Sequence, residues 1–97
     1  MNAAQKRLWD DTIMRDEGLC IQCGMQGSSI HHVIGRGKGG WQPKAMCVLC
    51  VDCHGRANGL RAQGILLAEM RRRYDYDYSD DPFVGILRVH DDITRVL

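Results

Sequence analysis

The first apolar residues of the chain recur at the spacing of a helix. These residues are Leu8, Trp9, Ile13 and Met14. Asn2 precedes them, and asparagine is a favoured N-cap because its side-chain oxygen accepts N–H groups of the first turn. We therefore predict a first helix that begins after Asn2, runs to about residue 15 and is closed by Gly18.

Two short apolar runs further along the chain predict a pair of strands. Residues 28–34 hold β-branched side chains around two histidines, and residues 45–49 form the second run. Residues 35–40 between them contain four glycines, a composition typical of a loop. A Cys-bearing tight turn at residues 20–27 precedes the first strand.

Helical patterns follow the second strand. Residues 52–58 predict a short helix with Asp52 as its N-cap, which Gly59 ends or bends. Residues 65–73 predict an amphipathic helix that ends in three arginines. Together with the strands, these helices indicate a small α+β fold.

The rest of the chain reads as an extension of one small domain. The acidic stretch 74–81 is typical of a linker, and Pro82 is suited to the first turn of a last helix. With 97 residues, the chain predicts a single domain over residues 1–97, with a C-terminal helical extension from 61 to 97. We expect no membrane span and, because the polar N-terminus lacks a signal sequence, a cytoplasmic location.

Charge is distributed unevenly along the chain. The net charge is only +1, but residues 31–73 carry +6, whereas residues 1–30 carry −1 and residues 74–97 carry −4. A basic middle between acidic ends is typical of a surface that binds a polyanion. A solvated surface whose charges average out fits the same pattern, so charge alone leaves both interpretations open.

Four of the five cysteines form two Cys-x-x-Cys pairs. Cys20 and Cys23 are separated by 26 residues from Cys50 and Cys53. In the reducing cytoplasm such pairs are metal ligands more often than disulfides, and two of them complete a tetrahedral zinc site. The alternatives are a redox pair, which lacks the usual βαβ context, and four reduced core thiols. We expect Cys47 to be a small buried apolar residue.

Three histidines lie close to these motifs. His31 and His32 precede the glycine-rich loop, and His54 directly follows Cys53. We expect them to converge on one site, with Asn58 on the same helix face as His54. The alternative is that one or two of these histidines only donate hydrogen bonds around the cysteine turns.

The ordered set of motifs resembles the HNH endonuclease family. The matching strings are Cys20-x-x-Cys23, His31-His32-Val33-Ile34, Gly39-Gly40 and Leu49-Cys50-x-x-Cys53-His54, within residues 15–60. The resemblance implies a ββα-metal fold of the small phage or bacterial type, with a four-Cys structural zinc. It implies a bacterial or phage-infected host cell as the setting.

The resemblance also assigns roles to individual residues. It implies that His31 and His54 bind a divalent ion, which Asn58 sometimes joins, and that His32 is the general base. The implied activity is metal-dependent hydrolysis of DNA phosphodiester bonds, one strand at a time, with Mg²⁺ or Mn²⁺ as the catalytic ion. Because imidazole is a softer ligand than carboxylate, Mn²⁺, Ni²⁺ or Zn²⁺ would bind more tightly than Mg²⁺. Adjacent strand residues face opposite ways, so His31 and His32 serve one phosphate only if the strand ends, twists or bulges there.

Basic residues around the motif predict contacts with the nucleic-acid backbone. Arg36 and Lys38 lie in the glycine-rich loop, and Arg56 and Arg61 lie on or just after the short helix. Such contacts are independent of base sequence and weaken with salt. Trp41 either packs under the loop, which we favour, or stacks on a nucleotide.

One position departs from the family pattern. Ala45 stands where the family usually has the asparagine that orients the general base, and Gln42 lies nearby in a different register. This departure keeps two other interpretations open. One is a non-catalytic zinc-binding module of HNH fold that docks nucleic acid or protein. The other is a nuclease that is active only with a protein partner, bound through the acidic segment 74–97.

Overall fold

A small two-stranded sheet organises the protein in the computed structural model, which describes residues 1–34 and 39–79. The elements in chain order are helix α1 (Ala3–Arg15), strand β1 (Ser29–His32), strand β2 (Met46–Leu49), helix α2 (Val51–Arg56) and helix α3 (Leu60–Tyr74). The two strands are antiparallel. The expected small α+β fold is therefore present, with the predicted strand pair at its centre.

Helix α1 begins as the sequence predicts and packs against the sheet through part of its apolar residues. The Asn2 side chain accepts a hydrogen bond from the Gln5 backbone N–H at 2.8 Å, and the Gln5 side chain accepts one from the Asn2 N–H at 3.1 Å. The two bonds form a capping box. Of the apolar residues at helical spacing, Leu8 and Trp9 pack against the sheet, whereas Ile13 and Met14 are exposed.

A buried ion pair explains which face of α1 turns inward. Asp16 is 4% exposed and accepts a hydrogen bond from the Val48 N–H at 2.9 Å. Arg15 binds the Asp16 carboxylate at 2.8 Å and donates to the Met46 carbonyl oxygen at 2.6 Å. These bonds satisfy backbone groups on the edge of β2 that β1 leaves unpaired, so the helix end covers a sheet edge.

The register of the sheet separates two side-chain environments. Ile30 pairs with Val48, and His31 pairs with Cys47. Because side chains alternate along a strand, even-numbered residues of both strands face α1, and odd-numbered ones face the opposite side. Ile30, Met46 and Val48 form one core cluster, against which Trp9 and Trp41 pack.

The larger core cluster lies on the opposite side of the sheet and contains α3. Leu66, Leu67 and Met70 of this helix are at most 1% exposed. The helix covers residues 60–74, so the prediction of 65–73 was correct in kind but too short.

The acidic linker predicted at residues 74–81 is wrong where the structure describes it. Tyr78 is 2% exposed and donates a hydrogen bond to the Lys44 carbonyl oxygen at 2.6 Å. Tyr74 and Tyr76 are half-buried and pack on the same core. Tyrosine alternates with aspartate from the end of α3 onward, and the three rings pack on the core while Asp75 and Asp77 are exposed. The helix predicted from Pro82 lies outside the described residues.

Candidate functional site

The first Cys-x-x-Cys pair lies in a tight turn before β1. The Cys20 N–H donates to the Met25 carbonyl oxygen at 2.8 Å, and the Gly24 N–H donates to the Cys20 carbonyl oxygen at 2.9 Å. Gly24 has φ +80°, a left-handed conformation that residues with a Cβ rarely adopt. The sequence Cys23-Gly24 therefore produces the turn that brings the first two thiols to one side.

The second pair forms the start of α2. Cys50 is the N-cap of this helix, and its sulfur accepts a hydrogen bond from the Cys53 N–H at 3.4 Å. The prediction that Asp52 would be the N-cap was wrong, because Asp52 already lies in the first helical turn. The N-cap lies two residues earlier than predicted because the Cys50 sulfur itself accepts a hydrogen bond from the backbone.

The two turns bring four sulfurs together. The ligand atoms of Cys20, Cys23, Cys50 and Cys53 all lie within 4.8 Å of one another. The sulfurs of Cys23 and Cys50 are 3.6 Å apart. Four sulfurs at the usual Zn–S distance of ~2.3 Å would be ~3.8 Å apart in a tetrahedron, so the cluster fits a metal ion such as zinc.

The thiols differ in their electrostatic surroundings. Burial raises the pKa of Cys20, but backbone N–H groups, first that of Cys50, outweigh this and lower the pKa to about 6. At neutral pH Cys20 is thus mainly the thiolate that binds metals. Burial instead raises the pKa of Cys47, which is fully buried in the core, as expected for an apolar role.

Two of the three predicted site histidines meet next to this cluster. The rings of His31 and His54 lie edge to face, with centroids 5.1 Å apart. His54 follows Cys53 in α2, and His31 lies on the sheet face that α2 covers. The Nδ1 atom of His54 lies 2.5 Å from the Ser29 hydroxyl oxygen, and the Nε2 atom of His31 lies 2.9 Å from the Gln63 side-chain oxygen.

Burial keeps His31 in its neutral form near physiological pH. It lowers the pKa of His31, the hydrogen bond to Gln63 opposes this, and the neighbouring His54 adds to the lowering. Neutral imidazole is the form that binds a metal ion.

His32 lies on the other face of the sheet. It pairs with Met46 in β2, so the strand alternation is kept through both histidines. Its ring centroid is 4.6 Å from that of Trp41 and 6.4 Å from that of Trp9. The structure thus brings His31 and His54 together and packs His32 against two indoles. Trp41 packs against His32 and Trp9, and the loop residues 35–38, under which we expected it to pack, lie outside the described residues.

The prediction that Asn58 shares a helix face with His54 is wrong. Helix α2 ends at Arg56, so Asn58 lies beyond it, and its side chain donates to the Gly55 carbonyl oxygen at 3.3 Å. Arg56 is the last residue of α2 and Arg61 lies in the first turn of α3, and both are exposed. Arg36 and Lys38, the other predicted nucleic-acid contacts, lie outside the described residues.

Ala45, which stands where the resemblance would place an asparagine, has a small buried side chain. Ala45 is fully buried, and its carbonyl oxygen accepts from the Val33 N–H at 2.8 Å. Gln42 donates from its side-chain amide to the Gly39 carbonyl oxygen at 2.6 Å. The Gln42 side chain therefore fixes the end of the glycine-rich loop at Gly39 by a hydrogen bond.

Sequence reasoning missed two residues of this site, Ser29 and Gln63. Ser29 lies two positions before His31, and strand alternation alone would have placed both on one face. Gln63 is 32 residues from His31 in the chain. No local pattern connects them, because their contact depends on how α3 packs.

Comparisons of the chain with protein-family models, with curated proteins and with solved structures give no match. Within residues 1–34 and 39–79, no helix has both the length and the apolar character required to cross a membrane.

Proposed function

We propose that this chain is a metal-dependent nuclease of the HNH type that hydrolyses DNA phosphodiester bonds. The observation that carries the proposal is the contact of His31 with His54 beside a four-cysteine cluster. A structural zinc site requires only the cysteines. Two half-buried imidazoles, each with one ring nitrogen already hydrogen-bonded, have no part in such a site and suit a second ion.

The donor set of the histidine pair fits an open site. Within the described part of the chain, the four cysteines are the only cluster of three or more possible ligands, so the pair offers two protein ligands. Water and a phosphate oxygen would complete the coordination of Mg²⁺ or Mn²⁺. When bound, the ion would neutralise charge on the scissile phosphate and stabilise the leaving 3′ oxygen.

The remaining chemistry falls to the chain's own side chains. In this proposal a ring nitrogen of His32 takes the proton from the attacking water, which suits an imidazole because its ordinary pKa is near neutrality. His32 is the last residue of β1. The indoles of Trp9 and Trp41 limit how far its ring can rotate.

Phosphate binding would rest on exposed arginines. Arg56 and Arg61 follow the histidine-bearing turn of α2 and are both exposed. Contacts of this kind hold the backbone without reading bases, and each contributes to a steep dependence of affinity on salt.

The second candidate is a zinc-stabilised module that docks nucleic acid without cutting it. One observation favours it: His32 packs against two indoles on the sheet face opposite His31. Ala45 also favours the docking module, because it stands where the family has the asparagine that orients the general base.

The test is nicking of supercoiled plasmid by the zinc-loaded protein, with Mg²⁺, with Mn²⁺ and with neither. His54→Ala and His32→Ala proteins, purified in parallel and checked for fold and zinc content, are the comparison. We expect metal-dependent nicking that falls by at least 100-fold in both variants.

Each other result has a definite meaning. No nicking by folded, zinc-loaded protein would refute the nuclease and favour the docking module. Nicking that persists in His54→Ala would mean that the activity does not come from this site. Loss in His54→Ala but not in His32→Ala would remove His32 from the role of base.

A further inference from the structure

Gln63 connects the histidine pair to the end of α2. Its side-chain nitrogen donates a hydrogen bond to the Ala57 carbonyl oxygen at 2.8 Å. Its side-chain oxygen lies 2.9 Å from Nε2 of His31. The amide is half-buried, on the first turn of α3.

The hydrogen bond to the Ala57 carbonyl oxygen determines the orientation of the Gln63 side-chain amide. A backbone carbonyl oxygen accepts hydrogen bonds and donates none, so it must face the NH₂ group of the glutamine. The opposite orientation would place two oxygens against each other. The oxygen of Gln63 therefore faces His31.

This orientation in turn decides which ring nitrogen of His31 carries the proton. The Gln63 oxygen only accepts, so the Nε2 atom of His31 must donate. A neutral imidazole has one N–H, and with that proton on Nε2 the lone pair is on Nδ1. The contact with Ser29 does not fix the tautomer of His54, because a hydroxyl can either donate or accept a hydrogen bond.

We propose that Gln63 is a positioning residue that holds His31 in the Nε2–H tautomer and so makes Nδ1 its metal-binding atom. The second half of this statement rests on the function proposed above, and the first half does not. Hydrogen bonds of this kind orient histidine ligands, and their removal typically lowers metal affinity by roughly 10- to 100-fold.

The experiment reads the tautomer directly by long-range ¹H–¹⁵N NMR of the histidine rings. The protein carries zinc on its cysteines and no other divalent ion, at a pH well above the ordinary imidazole pKa of about 6.5. Signals of His31 are assigned by their loss in His31→Asn protein. We expect a protonated Nε2 and an unprotonated Nδ1.

Three variants separate the role of Gln63 from general effects of substitution. Gln63→Ala removes the acceptor, and we expect His31 to become a mixture of tautomers. Gln63→Glu loses the NH₂ group that bonds the Ala57 carbonyl oxygen but keeps an acceptor oxygen for His31, so at a pH where the imidazole stays neutral it should keep the Nε2–H form. Gln26→Ala, at an exposed glutamine, should change nothing.

A wild-type His31 protonated on Nδ1 would overturn the proposal, and so would an unchanged tautomer in folded Gln63→Ala protein. If Gln63→Ala fails to fold, the wild-type and Gln63→Glu spectra still decide the matter. A parallel Mn²⁺ titration should show binding weakened roughly 10- to 100-fold in Gln63→Ala and retained in Gln63→Glu. Absence of Mn²⁺ binding by wild type, with the expected tautomers, would refute the proposed nuclease site and leave the effect of Gln63 on His31 standing.

Discussion

Replacing Cys50 by serine is expected to unfold the protein rather than only weaken a helix. Cys50 is both a member of the sulfur cluster and the N-cap of α2. Serine is a good N-cap, so the hydrogen bond that the Cys50 sulfur now accepts from the Cys53 N–H would be kept by the serine oxygen. The substitution therefore removes one thiolate ligand and leaves the capping contribution, about 1 kcal/mol, largely in place.

The expected loss exceeds what the rest of the fold supplies. A domain of this length has a free energy of unfolding of about 5–15 kcal/mol in total. Structural zinc on such ligands contributes ~10–16 kcal/mol at neutral pH. The six residues of α2 are too few to form a stable helix alone, and the buried Cys20 and Ile21 belong to the other cysteine turn. Without the ion, both turns lose what holds them together.

The assay combines metal content with thermal unfolding. Wild type should carry one zinc per chain, unfold in one cooperative transition and lose that transition when a strong chelator is added. Cys50→Ser should carry none and show no transition. The matched control is Cys47→Ala, a buried cysteine outside the cluster, which should keep its zinc and lose only roughly 0.5–3 kcal/mol.

A folded Cys50→Ser protein without zinc would refute the metal assignment. So would a wild type that keeps its cooperative transition after chelation removes every metal ion. Unfolding of Cys47→Ala to the same extent as Cys50→Ser would also refute it, since the loss would then reflect core packing rather than coordination.

The remaining predictions concern packing around the site. Asp16→Ala should lower the free energy of unfolding in urea by ~3–5 kcal/mol, because it removes the buried carboxylate that pairs with the half-buried Arg15 and accepts from the Val48 N–H. Asp10→Ala, which breaks an exposed pair, should cost under about 1 kcal/mol. Equal losses in the two variants would contradict this account. Tyr78→Phe should cost roughly 0.5–1.5 kcal/mol through its lost hydrogen bond, and no loss would contradict its buried role. Gly27→Ala should lower the melting temperature because a Cβ there would lie within 2.8 Å of the Gly18 carbonyl oxygen; an unchanged melting temperature would show that the turn relaxes freely.

Elements with strong local signals were predictable from the sequence. The Asn2 cap, the two strands around the glycine-rich loop and the four-cysteine cluster each depend on residues close in the chain or on fixed spacings. The prediction of an acidic linker failed because the burial of Tyr78 was decided by a partner more than 25 residues away.

Some contacts of the candidate site were likewise predictable from the sequence, and others were not. The nearness of His54 to the cysteines follows from its place directly after Cys53. Its contact with His31 follows from strand pairing, which the sequence predicted in outline. The position of His32 against two indoles and the role of Gln63 had no local signal.

The sequence by itself determined the two cysteine pairs that could hold a metal ion, because Cys-x-x-Cys spacing confines two thiols to one turn whatever surrounds them. It also determined the strand pair, because alternation and a glycine-rich loop leave few other arrangements. Only the tertiary structure decided which side chains pack around His32 and that Gln63 bonds His31. Those contacts join α1, the sheet and α3, and their geometry depends on how the apolar faces of these elements pack, which no local pattern encodes.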